Sequence, residues 1–250
     1  MERAELLKQL SFGTQVAEEE TNALARYFVE THQWNRIARG EIDLIRGDKG
    51  AGKSAIYSLL IGRQSEFFDN RVLIIGAENP RGDTVFKDIV PDPPSSEIEF
   101  IFLWKLYILV LITKELREYG ITDTSGIVFK SLENAGFLES EVSKSRLLKK
   151  VQDYARRLIN LESIEGGVTL DPNTGLLNGL TGKIVTREPS PELRSKGIVA
   201  IDYYLFDKIE DVLESYQFHI WILLDRLDVA FTENHQLEAN ALRALIRVYG

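Results

Sequence analysis

Eight consecutive residues, Gly47-Asp48-Lys49-Gly50-Ala51-Gly52-Lys53-Ser54, carry the strongest chemical signal in the chain. They follow the pattern G-x-x-x-x-G-K-[ST], in which each residue type has a physical task. Glycines allow positive φ, so that successive backbone N–H groups can turn inward on a phosphate. The start of a following helix adds free amides and the positive end of its dipole. Lys53 then reaches the β- and γ-phosphates of a nucleoside triphosphate as the charge-stabilising group, and Ser54 offers a hydroxyl to Mg²⁺. Average residue usage produces this pattern by accident in about one chain in a hundred of this length, so context has to support it. The required context is a strand before the loop and a helix after it. Glu41 to Arg46, EIDLIR, is predicted as that strand, and AIYSLLIG after Ser54 as a helix that fades near Gly62.

A second cluster lies far downstream. HIWILL, His219 to Leu224, is predicted as a strand that delivers Asp225 at its carboxyl end. Ligands bind at that end in open α/β sheets, and a carboxylate there holds Mg²⁺, often through water. The next residue is Arg226, where many ATPases place the glutamate that orients the attacking water. Two readings stand for Asp228: the water-orienting carboxylate, or a turn acid paired with Arg226. Arg226 itself senses the γ-phosphate or makes a surface ion pair. Glu78, just past another predicted strand, shares the same sheet edge by topology. Trp34 could stack on adenine, though a core tryptophan is the commoner fate. Arg243 and Arg247 lie one turn apart and suit either an arginine finger or a solvated helix face. The three histidines, His32, His219 and His235, show no metal-ligand spacing.

The elements that must position these groups follow from periodicity. Val16 to Glu30 is predicted as an amphipathic helix, and a shorter helix carries Trp34 and Ile37 and stops at Gly40. Arg71 to Gly76 is a second strand, and Asn79 to Gly82 a turn. Pro91 to Ser96, PDPPSS, is the clearest linker. Beyond it come helices over Glu97 to Tyr119, Ser125 to Asn134 and Glu139 to Asn160. Val168 to Leu170 and Lys183 to Thr186 flank Asp171–Gly175 as a small hairpin. Tyr203 to Gln217 and Gln236 to Val248 are helical. A parallel sheet needs more strands after this point, so the chain reads as a fragment or an abbreviated domain.

Composition narrows the function classes. A hydrophobic fraction of 44% and a charged fraction of 27% describe an ordinary globular core. The absence of cysteine excludes disulfides, thiolate metal sites and cysteine nucleophiles, and fits a reducing, cytoplasmic setting. A net charge of −8 disfavours a broad nucleic-acid face. The apolar run Phe100 to Thr113 is interrupted by Lys105 alone and is too short to span a bilayer, so it is predicted as a buried core helix. The N-terminus, MERAELLKQL, has no signal-peptide core.

GDKGAGKSAIYSLL and WILLDRLDVAF, with FGTQVAEEETNALARYFVETHQW ahead of them, resemble bacterial P-loop ATPases related to the KAP and STAND groups. The resemblance covers roughly the first 90 and the last 50 residues. It implies a P-loop NTPase core of the additional-strand class. By its residues, Lys53 and Ser54 match the loop, Asp225 the Mg²⁺ carboxylate and Asp228 the second acid of a D-x-x-D tail. Arg226 departs from the acidic doublet common in KAP-type proteins. The resemblance also implies work in bacterial defence or signalling, where nucleotide state gates an attached or separate effector; an effector protein or a homo-oligomer is the expected partner. No N-K-x-D segment reads guanine, so the expected cofactor is ATP with Mg²⁺. The expected fold is a three-layer α/β/α core with a mostly parallel sheet, formed by 41–95 and 198–250 after a helical lead-in over 1–40. About 170 residues separate Lys53 from Asp225, far more than the short connections of a minimal core, and a helical insertion over 96–197 accounts for them. ATP hydrolysis, a nucleotide-gated switch with little turnover, and a small-molecule kinase are the three functions this pattern can serve.

Overall fold

The computed structural model describes residues 28–48, 50–77, 97–121, 126–138, 143–159, 169–170, 177–178, 205–226 and 235–249. They form a mixed α/β architecture that is mostly helical, with a small parallel sheet. By internal contacts they fall into two compact units, divided between Asn70 and Arg71. The expected helix over Val16–Glu30 (apart from 28–30, which are not helical), the turn at Asn79–Gly82, the linker at Pro91–Ser96 and the strand at Lys183–Thr186 lie outside the described residues.

The first unit opens with α1 (His32–Ala38). Thr31 caps it, its side-chain oxygen accepting from the Trp34 amide at 3.2 Å. Trp34 and Ile37, three residues apart, share the buried face. The helix ends where Gly40 takes a φ of 71°, a conformation that costs glycine nothing. Phe28 meets the Trp34 ring edge-on at 5.1 Å, and the Arg63 guanidinium lies 5.3 Å from the ring centroid. Glu30 holds Arg63 from the other side at 2.8 Å. Trp34, 3% exposed, is therefore a core ring. Helix α2 (Lys53–Gly62) follows the glycine loop, and α3 (Gln64–Asp69) closes the unit.

The strand expected over Glu41–Arg46 does not form. Leu44 is 84% exposed and Ile45 37%. Glu41 is drawn back onto the end of α1 by Arg36 at 3.2 Å and Arg39 at 2.8 Å. Strand propensity is a preference for a pleated, half-buried surface, and a segment without a paired neighbour gains nothing from it.

In the second unit, β1 (Val72–Gly76) pairs in parallel with the later strand His219–Leu223, in register from Val72↔His219 to Gly76↔Leu223. The His219 amide bonds to the Arg71 carbonyl and the Ala77 amide to the Leu223 carbonyl, extending the ladder at both ends. Parallel strands cannot be joined by a hairpin, so the connection carries helices. The first of these is α4 (Glu97–Glu118), which includes the whole of Phe100–Thr113. Phe100, Trp104, Leu106, Tyr107, Leu109 and Val110 are all buried, while Ile101, Lys105 and Ile108 line a half-buried stripe. α4 touches β1 directly: the Tyr107 hydroxyl donates to the Ala77 carbonyl at 2.9 Å. No described helix is long and apolar enough to cross a membrane.

Around α4 pack α5 (Ile127–Asn134) and α6 (Lys144–Ile159). Phe137, just past α5, meets Tyr154 of α6 edge-on at 5.0 Å. A two-residue hairpin follows, β2 (Thr169–Leu170) with β3 (Leu177–Asn178), so the partner strand comes earlier than expected. Next, α7 (Phe206–Tyr216) ends at Gln217 with a φ of 57° and leads into β4, the strand His219–Leu223. Helix α8 (His235–Tyr249) lies along α4, where Trp104 Nε1 donates to the Ala241 carbonyl at 3.0 Å and Arg247 pairs with Glu97 at 2.7 Å.

Candidate phosphate-binding site

The loop ahead of α2 has the geometry its glycines imply. Gly50 and Gly52 take φ values of 86° and 87°, in the left-handed region that penalises any side chain. Gly47 leaves little room for a side chain: a Cβ there would lie 3.0 Å from the Ala51 Cβ. The Ala51 amide closes a turn on the Asp48 carbonyl at 3.1 Å. Helix α2 then starts from Gly52, and its first intrahelical bond runs from the Ile56 amide to the Gly52 carbonyl. The amides of Lys53, Ser54 and Ala55 precede that bond and have no partner within the helix. No side chain caps this end.

Lys53 folds back over the loop. Its Nζ donates to the Gly47 carbonyl at 2.7 Å and to the Asp48 carbonyl at 3.1 Å. A cation, three amides with no partner within the helix and a helix dipole thus lie on one short stretch of exposed backbone, the arrangement that holds an anion. The left-handed torsions at Gly50 and Gly52 fit a loop whose main chain cradles a phosphate. Lys49 lies outside the described residues.

Asp225 belongs to the second unit. It follows β4 at the carboxyl edge of the parallel pair, the same edge as Ala77. Its Oδ1 accepts from the Arg226 amide at 2.9 Å, and Arg226 takes a φ of 55°. Nothing in the sequence signals that torsion, because the residue is not glycine. Asp228 and Glu78 lie outside the described residues. Arg247 is engaged by Glu97, while Arg243 sits on the exposed face of α8.

The donors expected for Mg²⁺, the Ser54 hydroxyl and the Asp225 carboxylate, are both oxygens, which suits this hard cation. No group of three or more His, Cys, Asp or Glu gathers among the described residues to cage a metal. A cation delivered on a triphosphate needs only one or two protein oxygens. Outside the loop, the perturbed acid among the described residues is Glu115 near the end of α4. Burial, reinforced by Glu118 and opposed by Lys144, pushes its carboxyl up to about 7.

No family model matches the chain, and neither a curated protein nor a solved structure matches it.

Proposed function

We propose that the chain binds ATP with Mg²⁺ through Gly47–Ser54 and hydrolyses it, driving a conformational or assembly switch. The observation that carries this reading is the Lys53 ammonium seated on the Gly47 carbonyl at 2.7 Å, in a loop where Gly50 and Gly52 take positive φ. Phosphoryl transfer asks a protein mainly for positioning and charge stabilisation. In this reading Lys53 and the amides of α2 grip the β- and γ-phosphates, while Ser54 and Asp225 supply oxygens to Mg²⁺. Asp228 orients the attacking water. The parallel pair β1–β4 belongs to a three-layer α/β/α P-loop core, of the kind found in bacterial ATPases that gate an effector or a homo-oligomer in defence or signalling.

The bound cation would lower the cost of charge moving onto the leaving oxygens. The chain's own residues hold the phosphates in place and present the water. A single-turnover assay tests the reading: wild type releases phosphate from ATP and Lys53→Ala does not. Absence of ATP binding by wild type in Mg²⁺ would sink it.

A second reading, a nucleotide-gated switch with little turnover, is favoured by the exposure of Leu44 directly ahead of the loop. An apolar segment left in solvent is poised to be ordered when a ligand selects one state. Tight ATP binding without phosphate release distinguishes it.

A further inference from the structure

We propose that the exposed face of α6 is a docking surface for the phosphate backbone of duplex nucleic acid. The inference is independent of the reading of the glycine loop. Helix α6 carries six Lys and Arg, at 144, 146, 149, 150, 156 and 157, against a single acid, Asp153, in a chain whose net charge is −8. That overall charge disfavours a broad face for nucleic acid but leaves room for a narrow one, where cations are segregated on one element. Helix stability does not account for the segregation. Lys144 and Arg146 lie in the first turn, which holds no acid, and cations there oppose the helix dipole. Internal pairing does not account for it either. Elsewhere in the second unit Arg117 meets Glu133, Lys208 meets Asp211 and Arg247 meets Glu97. On α6, Lys150 Nζ donates to the Gly136 carbonyl and the Lys144 charge acts on the Glu115 carboxyl. Arg146 and Lys149 are exposed, and among the described residues no acid pairs with either. They stand three residues apart, a spacing that makes them neighbours on the helix surface.

The chemistry of the helix selects the partner. Its described apolar residues, Leu147, Leu148, Val151, Tyr154 and Ala155, are buried in the unit's own core, so they are not offered to a bilayer. Tyr154 is the helix's one aromatic residue, and its burial leaves no ring here on which the bases of a single strand could stack. Gln152, which could read a base edge, is buried as well. What α6 exposes is charge, which engages phosphate without regard to sequence. A duplex presents one negative charge per about 1.7 Å of its axis, whereas a fully acidic extended peptide presents one per about 3.3 Å or more. A rigid helix of 16 residues, about 24 Å long, matches the denser of the two with several contacts at once.

The test is fluorescence anisotropy of a labelled DNA duplex titrated with the full chain, at salt concentrations between about 50 and 200 mM. Wild type is expected to bind the duplex and to weaken steeply with salt. Arg146→Ala and Lys149→Ala are each expected to weaken binding about tenfold at about 50 mM salt, and to reduce the slope of log K against log salt by about 1. Lys149→Arg keeps the charge and is expected to keep the affinity. Arg243→Ala, which removes an exposed cation from α8, is expected to change neither affinity nor slope. Both α6 side chains are exposed, so their truncation removes little packing, and a thermal melt of each variant checks the fold. Arg146→Gln and Lys149→Gln replace any alanine variant that fails to fold. Absence of duplex binding by wild type at about 50 mM salt, or equal binding by wild type and both α6 variants, would overturn the proposal. An equal loss in Arg243→Ala would overturn it too, by tracing the binding to charge in general. Tighter binding of a single strand of the same sequence would overturn the duplex assignment. So would binding to phosphatidylserine vesicles or to polyglutamate, lost in the α6 variants, where the duplex shows none.

Discussion

Truncating Lys53 to alanine separates what the ammonium does for the fold from what it does for a ligand. In the structure its Nζ makes two bonds, to the carbonyls of Gly47 and Asp48. Both carbonyls are on exposed residues, so water replaces the lost donor, and the cost without nucleotide is about 1 kcal/mol or less. For a chain of this size that lowers the melting temperature by about 2–4 °C at most. The ligand term is larger. At a nucleotide concentration of about 100 Kd, wild type gains about 2.7 kcal/mol, a rise of about 5–11 °C. Losing the ammonium removes charge-assisted bonds to phosphate and weakens binding on the order of a hundredfold. At the same concentration the variant then gains only about 0.4 kcal/mol, a rise of about 1–2 °C. The assay is a thermal melt of both proteins with and without ATP and Mg²⁺. Equal ligand-induced rises in the two would refute the reasoning, because the cation on the loop would then contribute nothing to holding the triphosphate. A collapse of the unliganded variant would refute the assignment of a mainly ligand-directed role.

Three other outcomes follow from the same coordinates. Gly52→Ala places a Cβ in open space but at a φ of 87°, so it is expected to destabilise by about 1 kcal/mol, whereas Gly62→Ala, with open space and no positive φ, stabilises by about 0.4–1 kcal/mol in urea unfolding. Glu115, raised from 4.5 to about 7, stays protonated in the fold over a range where the unfolded chain ionises it. Its contribution is therefore full below pH 4.5 and is lost as pH rises to about 7. Relative to wild type, Glu115→Gln should gain in urea midpoint between pH 5 and pH 8, and an unchanged difference between the two proteins would reject the raised carboxyl. Amide exchange over Glu41–Arg46 is expected to slow on addition of ATP and Mg²⁺ if nucleotide orders the exposed Leu44 segment, and equal exchange with and without nucleotide would discard that gating role.

Much of the local structure was legible in residue patterns. The apolar run Phe100–Thr113 predicts a core helix, and it forms the largely buried middle of α4. The three-residue spacing of Trp34 and Ile37, and the stop at Gly40, gave α1. The branched run after Arg71 became β1, and HIWILL became β4. EIDLIR has strand-like composition, but two arginines tether Glu41 to α1 and the segment forms no ladder. The hairpin partner of Thr169–Leu170 is Leu177–Asn178, nearer in the chain than the expected Lys183–Thr186. The left-handed torsion at Arg226 leaves no mark in the sequence, because the residue is not glycine.

Residue identity alone therefore determined the chemistry on offer: glycines that permit an inward-turned main chain, a lysine and a serine at the start of a helix, and an acid after a strand. Those are properties of side-chain type and near-neighbour spacing, which act within one or two turns of chain. Tertiary structure decided the rest. It brought Val72 beside His219 across the length of the intervening helices, buried Glu115 enough to hold its proton near neutrality, and gave Arg226 a left-handed torsion. Each of those depends on contacts or solvent exclusion set by residues distant in sequence, or on a backbone torsion that no local pattern specifies.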